Sequence, residues 1–468
     1  MEGTQQQERG LMEQRPTLER RADLLLEAAR AAGAEEVEVC ARTARSLSAK
    51  VEKGDLGQVQ SDEGGTTGVR VVMGGRLGFA STNQGSEAAL RQIAEEAVAI
   101  ARLSPPDEAN VLPEGAEVLP GALMGPRVDG ALADLGVTDV VEGAQRLADA
   151  ALARDPRLSV DQASFSSVSG ATLVASTRGV RQFDADAALT LSLMALATDG
   201  EETGGFDYRG VALREHARLD GELARIAGEV ADSCIGNLGA RAASSYTGPV
   251  LFAPAALQSA ILQPLLGSAS AIAVQRGRSS LSDRVGERLA PGVEVVDDPT
   301  DRESMGARAF DREGLPARPF TVVADGVLQG FIHNAYSAAV GGAVSTGHAQ
   351  GGARGVPGLG FHAITCRATD EAAPDGAAAL LAALGTGLYV QRFSGSVDPA
   401  SGDFSGTAKS ARWVVDGAVQ HAVQEVMISG NAFEVLARGL VASRGTENLG
   451  GTTRVCWGIA DGLTVTAD

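Results

Sequence analysis

Apolar and polar residues in the first half of the chain follow two patterns, one typical of helices and one typical of strands. Apolar residues recur at helical spacing, as with Leu24, Leu25 and Ala28, and this predicts helices over residues 20–32, 86–103, 140–153 and 212–235. Strict alternation of apolar and polar residues is typical of half-buried strands. It predicts strands over residues 37–41, 46–52, 67–73 and 77–81. It also predicts two strand-rich stretches over residues 158–168 and 171–197, with a hairpin turn at Ser176-Thr177-Arg178-Gly179. Helices that flank hairpin-linked strands indicate an α+β unit.

The second half, from about residue 246, has shorter alternating segments and denser glycine. Strands are predicted near residues 320–324, 327–332, 412–415 and 452–455, and Asp325-Gly326 and Asp416-Gly417 are typical of two-residue hairpin turns. The predicted fold class is therefore α+β. Residues 1–19 are expected to be a flexible lead, 20–240 a mixed α/β domain with meander strands, and 241–468 a β-rich, barrel-like domain. Residues 107–129 are predicted to be a surface connection.

The net charge and the distribution of apolar residues argue against some classes of binding partner. The 468-residue chain has a formal net charge of -19, so non-specific binding to nucleic acid or to an anionic membrane is disfavoured. The first 19 residues lack an apolar signal segment, and no stretch approaches the roughly 20 apolar residues that span a bilayer. A soluble, cytoplasmic protein is expected, with neither nucleic acid nor membrane among its partners.

Residues that could bind a metal are few and scattered. Cys40, Cys234, Cys366 and Cys456 show no C-x-x-C spacing, which predicts reduced, mostly buried thiols. A helix presents two zinc ligands together at i,i+3 or i,i+4 spacing, and no two of the five histidines have it. Glu215-His216 is interpreted as a solvated surface pair. A site assembled from distant histidines is not supported by any pattern.

Two segments were considered for catalysis or binding. Ser405, in Gly402-Asp403-Phe404-Ser405-Gly406, is the nearest candidate nucleophile, but G-x-S-x-G is absent and a local turn is favoured. His348 lies between two glycine pairs, where the backbone can approach another chain closely. Either it lines a peptide channel or subunit seam, where a peptide adds as a β-strand, or it is a turn histidine bonded to backbone.

Several short motifs in fixed order resemble the TldD/PmbA family of peptidase-related proteins. They are Phe310-Asp311-Arg312-Glu313-Gly314, Thr346-Gly347-His348-Ala349, Gly402-Asp403-Phe404-Ser405 and Ile428-Ser429-Gly430-Asn431. The resemblance covers residues from about 20 to the end and is closest to the TldE (PmbA) branch. It implies a heterodimer in which a TldD-type subunit binds zinc through His-Glu-x-x-x-His on a helix. Its TldE-type partner completes a cavity that admits unfolded or short peptides.

In this chain the positions near that zinc motif hold Leu262, Gln263 and Gly267, which are not a zinc ligand set. The resemblance therefore implies no metal ligand and no catalytic residue here, with zinc in the partner, and Cys456 is not counted as a ligand. Pro264 is expected to interrupt the helix. Gly347, His348, Asp403 and Ser405 are the candidates for a peptide channel or subunit seam.

Three hypotheses follow. The first is a metal-free subunit of a TldD/TldE-type zinc metalloprotease, acting on unfolded peptides or on a peptide natural-product precursor. The second is a self-sufficient hydrolase that uses Ser405 or dispersed histidines. The third is a binding or regulatory protein of the PmbA (gyrase modulator) type, against which the acidic charge argues. General peptide degradation and dedicated processing are both left open.

Overall fold

The computed structural model describes residues 11–115 and 128–467. Its helices are α1 (Arg15–Ala31), α2 (Glu87–Leu103), α3 (Gly130–Ala133), α4 (Val137–Leu152), α5 (Leu219–Gly236), α6 (Pro254–Leu257), α7 (Gln263–Ser268), α8 (Ala271–Gln275), α9 (Ala335–Gly341), α10 (Gly376–Leu384) and α11 (Ala432–Arg438). The strands of the first half are β1 (Glu36–Glu52), β2 (Asp55–Met73), β3 (Arg76–Thr82), β4 (Leu158–Ser176), β5 (Arg181–Asp199), β6 (Glu202–Thr203) and β7 (Asp207–Leu213).

The strands of the second half are β8 (Tyr246–Phe252), β9 (Val293–Asp297), β10 (Phe320–Ala324), β11 (Val327–Leu328), β12 (Ala349–Gln350), β13 (Gly358–Leu359), β14 (Ile364–Ala368), β15 (Gly387–Val390), β16 (Arg392–Val397), β17 (Asp403–Lys409), β18 (Arg412–Val415), β19 (Ala418–Ala422), β20 (Val426–Asn431), β21 (Val441–Leu449) and β22 (Thr453–Thr466). Within the described residues, no helix is both long and apolar enough to cross a membrane.

The first half forms one antiparallel sheet with the strand order β3-β2-β1-β4-β5-β6, and β7 pairs with β5. Helices α1, α2, α4 and α5 pack on it. Val37, Val39 and Val51 of β1 lie in the core that these helices cover. Cys40, between them, packs with Phe310 in a separate small cluster. Because successive side chains of a strand point to opposite faces, the second half of the chain lies against the other face of this sheet.

The second half forms a branched, curled sheet. Its main path runs β11-β10-β9-β14-β22-β8-β15-β18-β19. Strands β20 and β21 also pair with β22, and a branch continues from β20 to β17 and then to β16. The two ends of that path, β11 and β19, do not pair with each other among the described residues, and the curled, β-rich sheet agrees with the barrel-like domain that the sequence predicted. The segment between the two sheets, residues 237–245, contains the predicted boundary at 240/241.

The α+β class is confirmed, whereas several element boundaries were wrong. The predicted strands 37–41 and 46–52 are one strand, β1, and β2 already begins at Asp55, before the predicted start at residue 67. The predicted helix 212–235 begins only at Leu219, because β7 occupies residues 207–213. Both Asp-Gly turns are confirmed, with positive φ at Asp325, Gly326, Asp416 and Gly417, as a type I′ hairpin requires.

Two predicted segments lie partly outside the described residues. Residues 1–10 of the predicted lead and residues 116–127 of the predicted connection are not described. Within the remainder of the lead, helix α1 already begins at Arg15, five residues before the predicted start.

Candidate functional site

The segment that would carry a zinc motif is a helix that follows a buried strand. Val250, Leu251 and Phe252 of β8 are fully buried, and Pro254 occupies the first turn of α6, where proline costs no hydrogen bond. A π-turn over residues Gln258–Leu262 joins α6 to α7. It ends at Leu262, so Gln263 lies between it and Pro264. A proline has no backbone N–H to donate to the carbonyl one turn back, and its ring collides with that carbonyl. The wider π-turn makes room for the ring, so the helix continues.

The side chains on this helix do not fit a zinc ion. Leu262 is 2% exposed and belongs to the hydrophobic core, while Gln263 and Gly267 are exposed. Zinc sites in proteins are built from imidazole, thiolate or carboxylate groups, and none of these three residues supplies one. Among the described residues, no cluster of three or more His, Cys, Asp or Glu side chains is placed to hold a metal ion.

A tight turn covers the end of this helix. The Ser268 hydroxyl donates to the carbonyl of Pro399 at 2.6 Å, and a Cβ on Gly267 would lie 3.0 Å from Pro399 Cβ. The turn is held by Asp398, whose carboxylate accepts the backbone N–H groups of Ala400 and Ser401. The exposed face of the helix therefore borders the turn that leads into β17.

Asp403 is exposed and lies at the start of β17. The side chains of Asn431 and Ser401 donate to its carboxylate at 2.8 and 2.9 Å, and these two bonds hold its pKa below the usual value. The Asn431 side-chain oxygen also accepts two N–H groups at the start of α11. The motifs at residues 402–405 and 428–431 are therefore in contact, because Asn431 binds Asp403 and also caps α11. The spacing of the two motifs in the sequence did not predict this contact.

Ser405 is exposed in the middle of β17. Its partners across the two neighbouring strands are Ser396 and Ser429. Neither neighbour is a base that could activate a hydroxyl nucleophile, so this position favours a surface role. That Asp403 and Ser405 line a channel or a subunit seam stays a prediction.

Gly402 gives a testable consequence of this turn. Its φ is +81°, and a Cβ there would lie 2.4 Å from the Phe433 ring. We expect Gly402→Ala to lower the free energy of unfolding by about 2 kcal/mol, because it adds a steric overlap to the strain of positive φ. Gly200→Ala is the matched control, since Gly200 has φ +61° and no atom within 4 Å. Its expected cost is about 1 kcal/mol. Equal urea unfolding midpoints for the two variants would contradict this packing.

His348 lies in the interior and not at a channel. It is 0% exposed, its Nδ1 is 3.0 Å from the carbonyl of Thr346, and its Nε2 is 2.9 Å from Asp297 Oδ2. The prediction that His348 lines a channel or seam is therefore wrong, because β12 and the chain around it enclose the ring. The alternative, a histidine bonded to nearby backbone, agrees with these contacts. Gly347 is buried as well.

His362 stacks on His348, with the ring centroids 5.1 Å apart. Its Nε2 is 2.8 Å from the Gly347 carbonyl and its Nδ1 is 2.9 Å from Gln350 Nε2. Burial, together with the positive charge of Arg308, lowers the pKa of His362 to about 3. The ring is therefore neutral, with Nε2 donating to the carbonyl and Nδ1 accepting from the amide.

Asp297 completes this buried cluster. It is 0% exposed and accepts the backbone N–H groups of His362 and Ala363. Burial alone would raise its pKa, but the hydrogen bond with His348 and the backbone N–H of Ala363 oppose this effect, and the pKa lies below the usual value. The cluster was missed from sequence because 14 residues separate the two histidines. The pairing of β12 with β13 brings that segment back on itself.

A buried ion-pair network joins the two halves of the chain. Arg70 of β2 donates to Glu38 of β1 at 2.6 Å and to Glu313 at 3.1 Å. Arg312 donates to the other oxygen of Glu38 at 2.8 Å. Burial would raise the pKa of Glu38, but the two arginines outweigh it and lower that pKa. Glu313 also accepts the N–H of Ala335 at the start of α9.

The neighbouring Asp311 has a different environment. It accepts backbone N–H groups from Glu313, Leu315 and Ala349. Burial and the adjacent charge of Glu313 raise its pKa to about 7. The whole motif at residues 310–314 is thus a buried structural link between the sheets.

The four cysteines are buried and unpaired, as the sequence predicted. Cys366 of β14 and Cys456 of β22 lie on neighbouring parallel strands. Burial and a hydrogen bond with the Cys456 thiol raise the pKa of Cys366 well above its usual value, the hydrogen bond having the larger effect. The β22 strand confirms the predicted strand position of Cys456.

Comparison with known proteins identifies the family. Residues 37–101, 130–238 and 245–467 match, in turn, the models of the PmbA/TldA metallopeptidase domain 1, central domain and C-terminal domain. The chain belongs to the TldD/PmbA family. This is a family of metalloproteases.

Relatives within this family span most of the chain. The Metalloprotease PmbA homolog of Haemophilus influenzae is 28% identical and covers 94% of both chains. Metalloprotease PmbA of Escherichia coli O157:H7 is 27% identical over 89% of both. The Metalloprotease TldD homolog of Haemophilus influenzae is 26% identical over 82% of this chain and 80% of its own length. The chain is thus similar to PmbA (TldE) members over almost its full length.

Solved structures show the same fold. TldE from Thermococcus kodakarensis superposes with a TM-score of 0.86 at 21% identity and covers 95% of this chain and all of its own. A Thermotoga maritima protein described as a putative modulator of a DNA gyrase gives a TM-score of 0.83 at 22% identity, over 96% of this chain and all of its own. The TldD/PmbA fold therefore positions the helix, the turn and the buried network described above.

Proposed function

We propose that this chain is the metal-free subunit of a two-subunit TldD/TldE-type zinc metallopeptidase that acts on unfolded peptides or on a peptide natural-product precursor. The observation that carries the proposal is the helix after β8. The chain belongs to a metalloprotease family. At the positions near the zinc motif, however, it has Leu262, which is buried, and Gln263 and Gly267, which are exposed. Metal and catalytic groups would then come from a TldD-type partner.

The names of relatives support the pairing. One solved neighbour is a TldE, and one relative is a TldD homolog. The related proteins therefore include both types of subunit that the proposal requires.

An exposed apolar segment supports association with another protein. Residues 339–344 read Ala-Val-Gly-Gly-Ala-Val, and all six are exposed. Val344 is 84% exposed and Val340 47% exposed. Apolar residues clustered on a surface mark interaction sites more often than isolated ones do. This segment begins in the last turn of α9, and the buried network anchors the start of that helix through Glu313.

The test is zinc content and peptidase activity of the purified chain, alone and after co-expression with a TldD-type protein. We expect the chain alone to contain no stoichiometric zinc and to cleave no unfolded peptide. Activity that a chelator abolishes should appear only in the co-purified complex. Stoichiometric zinc, or chelator-sensitive cleavage by the chain alone, would contradict the proposal.

A matched pair of variants separates this proposal from a self-sufficient hydrolase. Under the proposal, Ser405→Ala leaves the activity of the complex within about twofold, because an exposed serine without an adjacent base is not a nucleophile. Ser394→Ala, an exposed serine of β16, is the control. Loss of activity in Ser405→Ala but not in Ser394→Ala would favour the hydrolase.

A further inference from the structure

A cavity of about 360 Å³ lies where the two halves of the chain meet. Strand β7 and helix α5 of the first half line one side of it, and residues 446–448 of β21 with Trp457 of β22 line the other. Binding sites for small molecules are clefts of about 300–1,000 Å³ and often lie between domains. The cavity is therefore large enough for a small organic molecule that contacts both halves of the chain.

The Glu447 carboxylate lines this cavity without a direct partner. It is half-buried, and within the part of the chain that the structure describes it makes no hydrogen bond and no ion pair. Burial raises the pKa of this carboxyl, and the charges of Arg209 and Arg225 offset that effect only in part. Removing an ionised carboxylate from water is costly unless it is paired, so a cation bound beside Glu447 would be stabilised there.

The charged side chains of α5 beside the cavity balance one another. Arg225 pairs with Glu222 at 2.7 Å and with Glu229 at 2.9 Å. Arg218, which precedes the helix, pairs with Glu222 at 3.2 Å. These two arginines are therefore held by glutamates of the same helix, and neither forms an ion pair with Glu447.

The remaining charged residues of the lining are bonded to groups outside it or are exposed. Arg214 donates to the carbonyl of Met305 at 2.7 Å, and Glu303 pairs with Arg454 at 2.9 Å. The last two charged residues are both exposed and opposite in sign, Glu215 and Arg302. Among the described residues of the lining, Glu447 is thus the carboxylate that is left without a counter-charge.

Trp457 gives the cavity an aromatic wall next to Glu447. Glu447 pairs with Val455 across the β21–β22 ladder, and Trp457 lies two residues further along β22, so both side chains lie on the same face of the sheet. Diagonal neighbours of this kind are about 7–8 Å apart. A hydrogen bond joins the Trp457 and Tyr389 side chains. Because an indole can only donate, this bond runs to the Tyr389 hydroxyl and fixes the orientation of the Trp457 ring.

From this geometry we propose that the cavity binds a small organic guanidinium ion, with its head group bonded to Glu447 and stacked on Trp457. A guanidinium presents two parallel N–H groups to a carboxylate and stacks on an aromatic face, whereas an ammonium is a strongly hydrated point charge. An anionic ligand would instead face the unpaired carboxylate. This binding goes beyond the proposed function, since it requires neither zinc nor a second subunit.

The experiment uses the purified full chain with Trp413→Phe, which leaves Trp457 as the single tryptophan. The fluorescence emission of Trp457 is followed as butylguanidinium chloride is added. Butylurea, a neutral molecule of the same shape, tests the need for charge, and butylammonium tests the head group. We expect butylguanidinium to change the emission until the site is saturated, and butylurea to have no effect. Butylammonium should bind at least about fivefold more weakly, because it neither stacks nor pairs through two N–H groups.

Two matched variants in the same background test the location. Glu447→Gln keeps the shape of the side chain and removes its charge, and we expect it to weaken binding of butylguanidinium by about tenfold or more. Glu95→Gln removes the same charge at an exposed position outside the cavity lining, and should change the binding by less than about twofold. This control accounts for the general attraction of cations to a chain whose net charge is -19. Urea unfolding midpoints confirm that the variants fold.

Three results would overturn the proposal. They are equal affinities of the two variants, equal responses to butylurea and butylguanidinium, and an emission that does not change at millimolar butylguanidinium. Equal affinity for butylammonium would indicate attraction by charge alone and would overturn the assignment to a guanidinium. The comparison of the three small molecules requires no substitution of Glu447, so it decides the question even if Glu447→Gln does not fold.

Discussion

Replacement of Arg70 by methionine is expected to lower the free energy of unfolding by about 3–5 kcal/mol, because it removes one partner from a buried ion-pair network. Arg70 is 6% exposed and contacts both Glu38 and Glu313, each 1% exposed. Glu38 keeps Arg312 after the substitution. Within the described residues, the Glu313 carboxylate then keeps only the backbone N–H of Ala335, so the cost arises mainly from a buried carboxylate that has lost its ion-pair partner.

Urea unfolding at neutral pH measures this effect. The double variant Arg70→Met with Glu313→Gln should recover most of the lost stability, since it removes the unpaired charge. Arg91→Met, which breaks an exposed pair with Glu87 one helical turn away, should cost less than about 0.5 kcal/mol. A cost for Arg70→Met close to that of Arg91→Met would show that the network is not buried as described.

The network also explains why the motif at residues 310–314 accompanies this fold. Glu313 connects β2 to the start of α9, and Arg312 connects β1 to the loop at residues 352–355. Both sheets therefore depend on one short segment. A motif that looked like a sequence signature has a structural role, and its charged residues are not exposed to a substrate.

The sequence predicted correctly those elements that depend on a single local signal, such as a helix cap or a turn dipeptide. The helix over residues 86–103 was found to within one residue because Ser86 caps it and its apolar stripe is regular. The Asp-Gly turns were found because only a few residues tolerate positive φ at both positions. Prediction failed where tertiary context outweighed a local signal. The predicted strand began only at residue 67, yet β2 already runs through Gly64 and Gly65, because these pair with Ala44 and Thr43 of β1.

The site was predicted only in part. That the helix after β8 carries no zinc ligand set could be stated from residue types alone, and the structure adds that Leu262 faces the core. The placement of His348 could not be predicted, because exposure depends on how the β12–β13 segment folds over Asp297.

Acid is expected to destabilise the protein through His362. Burial lowers its pKa to about 3 in the folded state, against roughly 6.5 when unfolded. Because the folded pKa is depressed, this histidine contributes its full stability above about pH 6.5, and the contribution is lost as the pH falls toward 3. Between pH 7 and pH 4 the expected loss from this one group is about 3 kcal/mol.

His362→Gln tests this directly, since a glutamine can still donate to the Gly347 carbonyl and accept from Gln350 but does not titrate. We expect the variant to be less stable than the parent at pH 7, through imperfect packing against His348, and to lose about 3 kcal/mol less between pH 7 and pH 4. His216→Gln, which replaces an exposed histidine in the same way, is the matched control variant. NMR of the His362 ring provides a second measurement that requires no variant. A ring that titrates near pH 6.5 in the folded protein would contradict its burial, and with it the placement of Asp297 and His348 in one closed cluster.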